Sequence, residues 1–120
     1  MLSINTGHRY YFYHKACHMS NGFDGLCGLV RNEFAQNPLS GDVFIFTNKR
    51  HSHLKLLQWQ GDGFAIFYKR LEKGTYEIPV IDSSSASIEL SSQQLMLILE
   101  GISLLSIKKR VRYQQLVQGY

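Results

Sequence analysis

The sequence predicts an α+β fold: a small, mainly antiparallel sheet built as a meander of short strands, with one helix packed on a face and a short C-terminal helix. Three observations predict it. Residues 42–70 hold three apolar and aromatic runs separated by turn signals, and strands joined by hairpins run antiparallel. Residues 22–36 repeat apolar side chains at offsets of three and four. Residues 91–94 form a capping-box pattern ahead of a second apolar run. With 120 residues, 44% of them hydrophobic, the chain suits one α+β domain over residues 1–102, followed by a basic tail over residues 103–120.

The elements follow in order. Residues 8–14 are rich in aromatic side chains and suit a strand, with Tyr10 and Phe12 on one face and Tyr11 and Tyr13 on the other. Met19 to Gly22 reads as a turn into a helix, with Ser20 or Asn21 as N-cap. The helix is expected to reach about Gln36, with Phe23, Leu26, Val30 and Phe34 on one face. Gly22, Gly25 and Gly28 cost about 1 kcal/mol each inside a helix and imply close packing against its backbone. Asn37-Pro38 stops it, because the residue before a proline avoids helical geometry. Strands are then expected at Asp42–Thr47, Leu54–Gln60 and Phe64–Arg70, the last two joined by a three-residue turn, Gly61-Asp62-Gly63. Lys73-Gly74 turns the chain into an extended piece, Thr75–Ile81, and Asp82–Ser87 reads as a polar linker. Ser91 caps a helix over Gln93–Glu100, in which Leu95, Ile98, Leu99 and Ile102 share a face and Gly101 is the terminator. From Leu104 the chain is either a frayed helix or a disordered tail.

A register follows from the three-residue turn. If Gln60 pairs with Phe64, Trp59 faces Ala65, Leu57 faces Phe67 and Lys55 faces Lys69, while Thr47 opposite Leu54 brings Phe44 and Phe46 to that face. Two lysines side by side suit a bridging anion, or long side chains leaning into water. A slip of one residue would move all of these to the other face.

The net charge of +4 hides an uneven distribution. Residues 49–73 carry Lys49, Arg50, Lys55, Lys69, Arg70 and Lys73 against Asp62 and Glu72. The tail carries Lys108, Lys109, Arg110 and Arg112 with no acid. Two basic blocks on an otherwise acidic chain point to a polyanion, and these ten residues are the candidate nucleic-acid contacts. Lys49 and Arg50 come first, because a polar connection is where a core needs them least. Trp59 and Tyr68 are candidates for stacking on unpaired bases, against the plainer reading of Trp59 as core packing.

Other classes are disfavoured. Asp24, Asp42 and Asp62 could hold catalytic metals by number alone, yet each has a local reason: a helix first turn, a strand start and a turn centre. His14, Cys17, His18, His51 and His53 lack the spacing of a four-ligand zinc site, so neither metal nor cofactor is expected. Cys17 and Cys27 make no disulfide framework, and Cys27 reads as a small core residue. No run reaches the about 20 apolar residues of a membrane span, and the N-terminal segment does not read as a secretory signal. The expectation is a cytoplasmic protein with no membrane partner.

Several segments together resemble a known family. They are GFDGLCGLVRNEF (residues 22–34), PLSGDVF (38–44), KLLQW (55–59), DGF (62–64), YKRLEKG (68–74) and LSSQQLMLILEGI (90–102). Their order and spacing resemble the accessory protein of insertion sequences of the insertion-sequence-66 type, the second open-reading-frame product, also called TnpB. The resemblance spans roughly residues 8–102 and departs at Ser20-Asn21, where the family often carries a basic residue. It implies an accessory role in bacterial transposition beside a separate, larger transposase, without catalytic activity of its own. DNA and that transposase are therefore the expected partners. The alternative is a protein–protein interaction module of the transposase complex that never touches DNA.

Overall fold

The computed structural model describes residues 4–78 and 86–101. Its elements are β1 (Tyr10–Tyr13), α1 (Phe23–Asn32), a 3-10 turn (Pro38–Ser40), β2 (Val43–Thr47), β3 (His53–Trp59), β4 (Phe64–Arg70), β5 (Ser87–Leu90) and α2 (Ser92–Glu100). The five strands form one sheet in the order β4-β3-β2-β1-β5. The α+β expectation holds, and three of the four strand pairings are antiparallel. The fourth, β1 with β2, is parallel, and α1 lies in the long connection that such a pair requires. β5 takes up the end of the segment read as a polar linker and pairs with β1 at an edge. The extended piece expected from Thr75 is no strand as far as Ile78; its remainder and most of that linker lie outside the described residues, as does Ile102.

Both sheet faces are covered, not one. On the first, Tyr10, Phe12, Val43, Ile45, Leu54 and Leu56 pack with Leu95 and Ile98 of α2 and with Tyr76. On the second, Tyr13, Phe44, Phe46 and Leu57 pack with Leu26 and Val30 of α1 and with Phe34. Burial on both sides explains why β2 reads as an unbroken apolar run, since strict alternation marks a sheet with one wet face. Each large side chain buried this way stabilises by about 1.5–3 kcal/mol.

α1 differs in detail from its expected form. Its N-cap is Gly22, with no side-chain cap. Ser20 and Asn21 are engaged elsewhere: the Ser20 hydroxyl lies 2.6 Å from His18 Nδ1, and the Asn21 amide donates to the His18 carbonyl. Phe23 stays exposed. The helix stops before Pro38 because Ala35 adopts a left-handed φ of 54°, and Gln36 N–H then reaches back to the Val30 carbonyl at 3.1 Å. That turn swings Phe34 under the sheet, 5.3 Å from the rings of both Tyr13 and Phe44. A side chain at Gly25 would strike Asn21, whereas Gly28 faces open space and has no such need for glycine. At α2 the Ser91–Gln94 capping box and the left-handed Gly101 are present as expected.

The β3–β4 register is one residue away from the expected one. Gln60 N–H donates to the Gly63 carbonyl at 2.9 Å, so the chain reverses on Gly61-Asp62 alone, with Gly61 at φ 91°. Trp59 therefore faces Phe64, Leu57 faces Ile66 and Lys55 faces Tyr68, while Lys69 lies opposite Leu54. The paired lysines do not exist. Phe67 and Lys69 belong to the α2 side of the sheet, and Phe64, Ile66, Tyr68 and Arg70 to the α1 side.

Tyr13 gives the fold a pH signature. Its hydroxyl donates to Glu33 Oε1 at 3.0 Å, and burial, reinforced by that bond, pushes its pKa up to about 12. The unfolded phenol loses its proton near pH ~10. The native state thus binds more protons than the unfolded state between those values, so stability is full below pH ~10 and falls as pH rises toward ~12. Tyr13→Phe is expected to flatten that alkaline loss in urea unfolding, leaving the lesser slope of groups such as Tyr76, also shifted up by burial. Equal alkaline slopes in the two proteins would refute this assignment.

Candidate nucleic-acid interface

One end of the sheet gathers the ends of β1, β2 and β4 and the start of β3. Three connections meet there, and backbone bonds lock them together. Cys17 N–H donates to the Thr47 carbonyl (2.8 Å), Leu71 N–H to the Ser52 carbonyl (2.8 Å) and Tyr76 N–H to the His51 carbonyl (2.7 Å). The β2–β3 connection is therefore held from both sides.

Asn48 organises that connection from within. Its Oδ1 accepts from the backbone N–H groups of Ser52 (2.9 Å) and His53 (3.1 Å), and its Nδ2 donates to Ser52 Oγ and His53 Nδ1, both at 3.0 Å. Because Nδ2 can only donate, His53 Nδ1 accepts and its ring proton sits on Nε2. His51 N–H closes a turn onto the Asn48 carbonyl at 3.1 Å, and His51 itself takes a left-handed φ of 57°. Lys49 and Arg50 form the exposed tip of this braced turn. Little backbone ordering is left to occur on binding, which favours affinity.

Two shallow grooves flank the tip. One, of about 510 Å³, runs between residues 16–19 and the side chains of Asn48, Lys49, Arg50 and His53. The other, of about 370 Å³, is lined by His53, Tyr68, Arg70 and Glu72. They meet at His53. Arg70 donates from Nε (3.1 Å) and Nη2 (2.6 Å) to Glu72 Oε1, an exposed pair that water and salt screen. Lys69 is exposed on the α2 side, and Lys73 is exposed in the loop whose ends, Leu71 and Tyr76, bond to the β2–β3 connection. Five exposed cations thus converge on one end, with Glu72 as the opposing charge within residues 49–73, since Asp62 sits at the far hairpin turn.

Lys55 is corrected. It is 7% exposed, and its Nζ donates to the carbonyls of Met19 (2.8 Å) and Asn21 (2.7 Å) while lying 4.7 Å from the centre of the Tyr68 ring. Its alternation in β3 points it under the segment that leads into α1, so it anchors that segment and offers nothing to a phosphate. Trp59 is half-buried, 5.0 Å from the Phe64 ring, at the other end of β3 and about 20 Å along the strand from His53. Tyr68 is 51% exposed and lines the second groove. Lys108, Lys109, Arg110 and Arg112 lie outside the described residues. The sequence reading gave Asn48 no role and took His53 only as a metal candidate and Glu72 only as a counter-charge; an Asn directly ahead of a basic turn was the available signal for the first.

Asp24 lies in the first turn of α1, Asp42 precedes β2 and Asp62 sits in the β3–β4 turn; among the described residues no three His, Cys, Asp or Glu side chains gather as a metal site. Cys17 and Cys27 are buried free thiols, and burial pushes both pKa values up, away from the thiolate. No described helix is long and apolar enough to cross a membrane.

The molecule is thus a mixed, two-sided α+β sheet with a braced cationic end. The chain belongs to the family described as IS66 Orf2 like protein, which matches residues 8–109. That membership ties it to insertion sequences and suggests an accessory role in transposition. Two uncharacterized proteins of Sinorhizobium fredii are similar to it. One, y4hO, is 34% identical over 84 residues, covering 70% of this chain and 71% of its own. The other, y4jC, is 28% identical over 89 residues, 74% of each chain. No solved structure matches the chain.

Proposed function

We propose that this protein is a non-catalytic accessory factor in the transposition of its element and works in the cytoplasm by binding DNA phosphates at the cationic end of the sheet. The observation that carries the reading is the braced turn that presents Lys49 and Arg50, with Arg70, Lys69 and Lys73 around it. Solvated surface charge alone needs no such bracing. The element's transposase is the proposed protein partner. A salt titration of DNA binding tests the reading. If the five cations each neutralise one phosphate, log K falls with log salt at a slope of about −3.5 to −4.5. A slope near zero would remove DNA from the account.

The second reading, an interaction module without DNA contact, draws on one specific feature. Among the described residues β4 is an edge strand seven residues long, paired with β3 on one side only, and it exposes Phe67. Binding of the transposase through that edge would be insensitive to salt, so the same titration separates the readings.

Absence of catalysis has its own test. The purified chain, given magnesium or manganese and the ends of its element, is expected neither to nick nor to join DNA. Asp24→Asn, Asp42→Asn and Asp62→Asn are each expected to leave transposition largely intact. Metal-dependent cleavage abolished by one of them would make the protein an enzyme.

A further inference from the structure

We infer that the DNA held at this end is single-stranded, with one base stacked on Tyr68 and its flanking phosphates on Lys49 and Arg50. This rests on the phosphate-binding reading above and narrows its ligand to unpaired nucleotides. Tyr68 lies on β4, which among the described residues has a neighbouring strand on one side only, and its side chain stands half in water on the face that α1 covers farther along the sheet. Lys55 holds the ring from one side at 4.7 Å, and the ammonium is itself fixed by two carbonyls. The imidazole of His53 flanks it at 6.0 Å, its tautomer set by Asn48. An aromatic ring braced this way and still 51% exposed can serve as a stacking platform.

Charge then divides the surface. The groove beside Lys49 and Arg50 has no carboxylate in its lining and suits phosphate. The groove beside Tyr68 carries Glu72 next to Arg70, which disfavours phosphate but accepts hydrogen bonds from the amino groups of bases. Its volume of about 370 Å³ lies at the low end of small-ligand sites, the scale of one base with its sugar. Base and phosphate thus have separate places on either side of His53. A duplex keeps its base faces stacked internally and can use only the phosphate half. Unpaired nucleotides can use both.

Fluorescence anisotropy with a labelled 12-nucleotide strand and with the duplex of the same sequence tests this. The proteins are wild type, Tyr68→Leu, Tyr68→Phe and the double variant Lys49→Ala, Arg50→Ala. Leucine keeps apolar bulk without the aromatic plane; phenylalanine keeps the plane. Tyr68→Leu is expected to weaken single-strand binding about tenfold or more and duplex binding less than twofold, with Tyr68→Phe close to wild type on both. The double variant is expected to weaken both ligands. Equal loss on strand and duplex for Tyr68→Leu, or no loss on either, would overturn the stacking inference while leaving the phosphate reading intact. An unaffected double variant would overturn the phosphate reading itself, and this inference with it.

Discussion

Lys55→Met is expected to lower the stability of the fold by about 2–4 kcal/mol without changing DNA affinity in the protein that remains folded. The ammonium is buried and makes two charge-assisted bonds, to the carbonyls of Met19 and Asn21. Such bonds contribute about 1.5–3 kcal/mol each, less the cost of taking the charge from water. Met fills nearly the same volume, so the cavity term that complicates an Ala substitution drops out. What remains is the loss of the charge and two carbonyls left without a donor. Those carbonyls belong to the segment that sets where α1 begins, so the loss loosens the cover over Phe44, Phe46 and Leu57. For a domain of this size the melting temperature should fall by roughly 10–20 °C. Urea unfolding checks the energy, and anisotropy on the folded variant checks the affinity. Stability within 0.5 kcal/mol of wild type would mean that the ammonium reaches water and is available to a ligand after all.

Lys55 also shows where sequence reading stops. A basic side chain at the start of an apolar strand looks like an exposed strand end. Its acceptors lie 36 and 34 residues upstream, on a segment whose path depends on the β1–α1–β2 crossover. That crossover was not legible, because the aromatic run of β1 suits a parallel and an antiparallel neighbour equally well. The β3–β4 register turned on one hydrogen bond, since Gly61-Asp62-Gly63 can close a hairpin of two residues or of three. The one-residue difference decided whether Lys55 met Lys69 or the Tyr68 ring. Features with local causes were legible: the Ser91–Gln94 capping box, the meander and the exposure of Lys49 and Arg50. The groove partners His53 and Glu72 were not, because no local pattern brings a strand start and the residues after β4 together. β5 escaped notice because four residues, half of them polar, carry too little signal to be told from a linker.

The double variant Lys49→Ala, Arg50→Ala is expected to lose DNA affinity by about 100-fold at 50 mM salt and by about 10-fold at 150 mM, through the release of two neutralised phosphates. The salt slope should become shallower by about 2. Stability should stay within about 0.5 kcal/mol per site, because neither side chain packs against the core and the turn is held by Asn48 and by backbone bonds. Both numbers matter together, since a loss of affinity that does not shrink with salt would come from a damaged fold. The charge-preserving exchange Lys49→Arg, Arg50→Lys should retain most of the binding, because at this exposed tip the phosphates are met chiefly as point charges. Asn48→Ala makes the complementary case. It keeps both cations but removes four hydrogen bonds from the turn, and it should weaken binding by ordering cost while leaving the salt slope unchanged. In cells, transposition with the partner transposase should fall in the double variant toward the level seen when this protein is deleted. An unchanged affinity and slope for the folded double variant, on strand and duplex alike, would show that the cationic end is only a solvated surface and leave the β4 edge as the place to look for a partner.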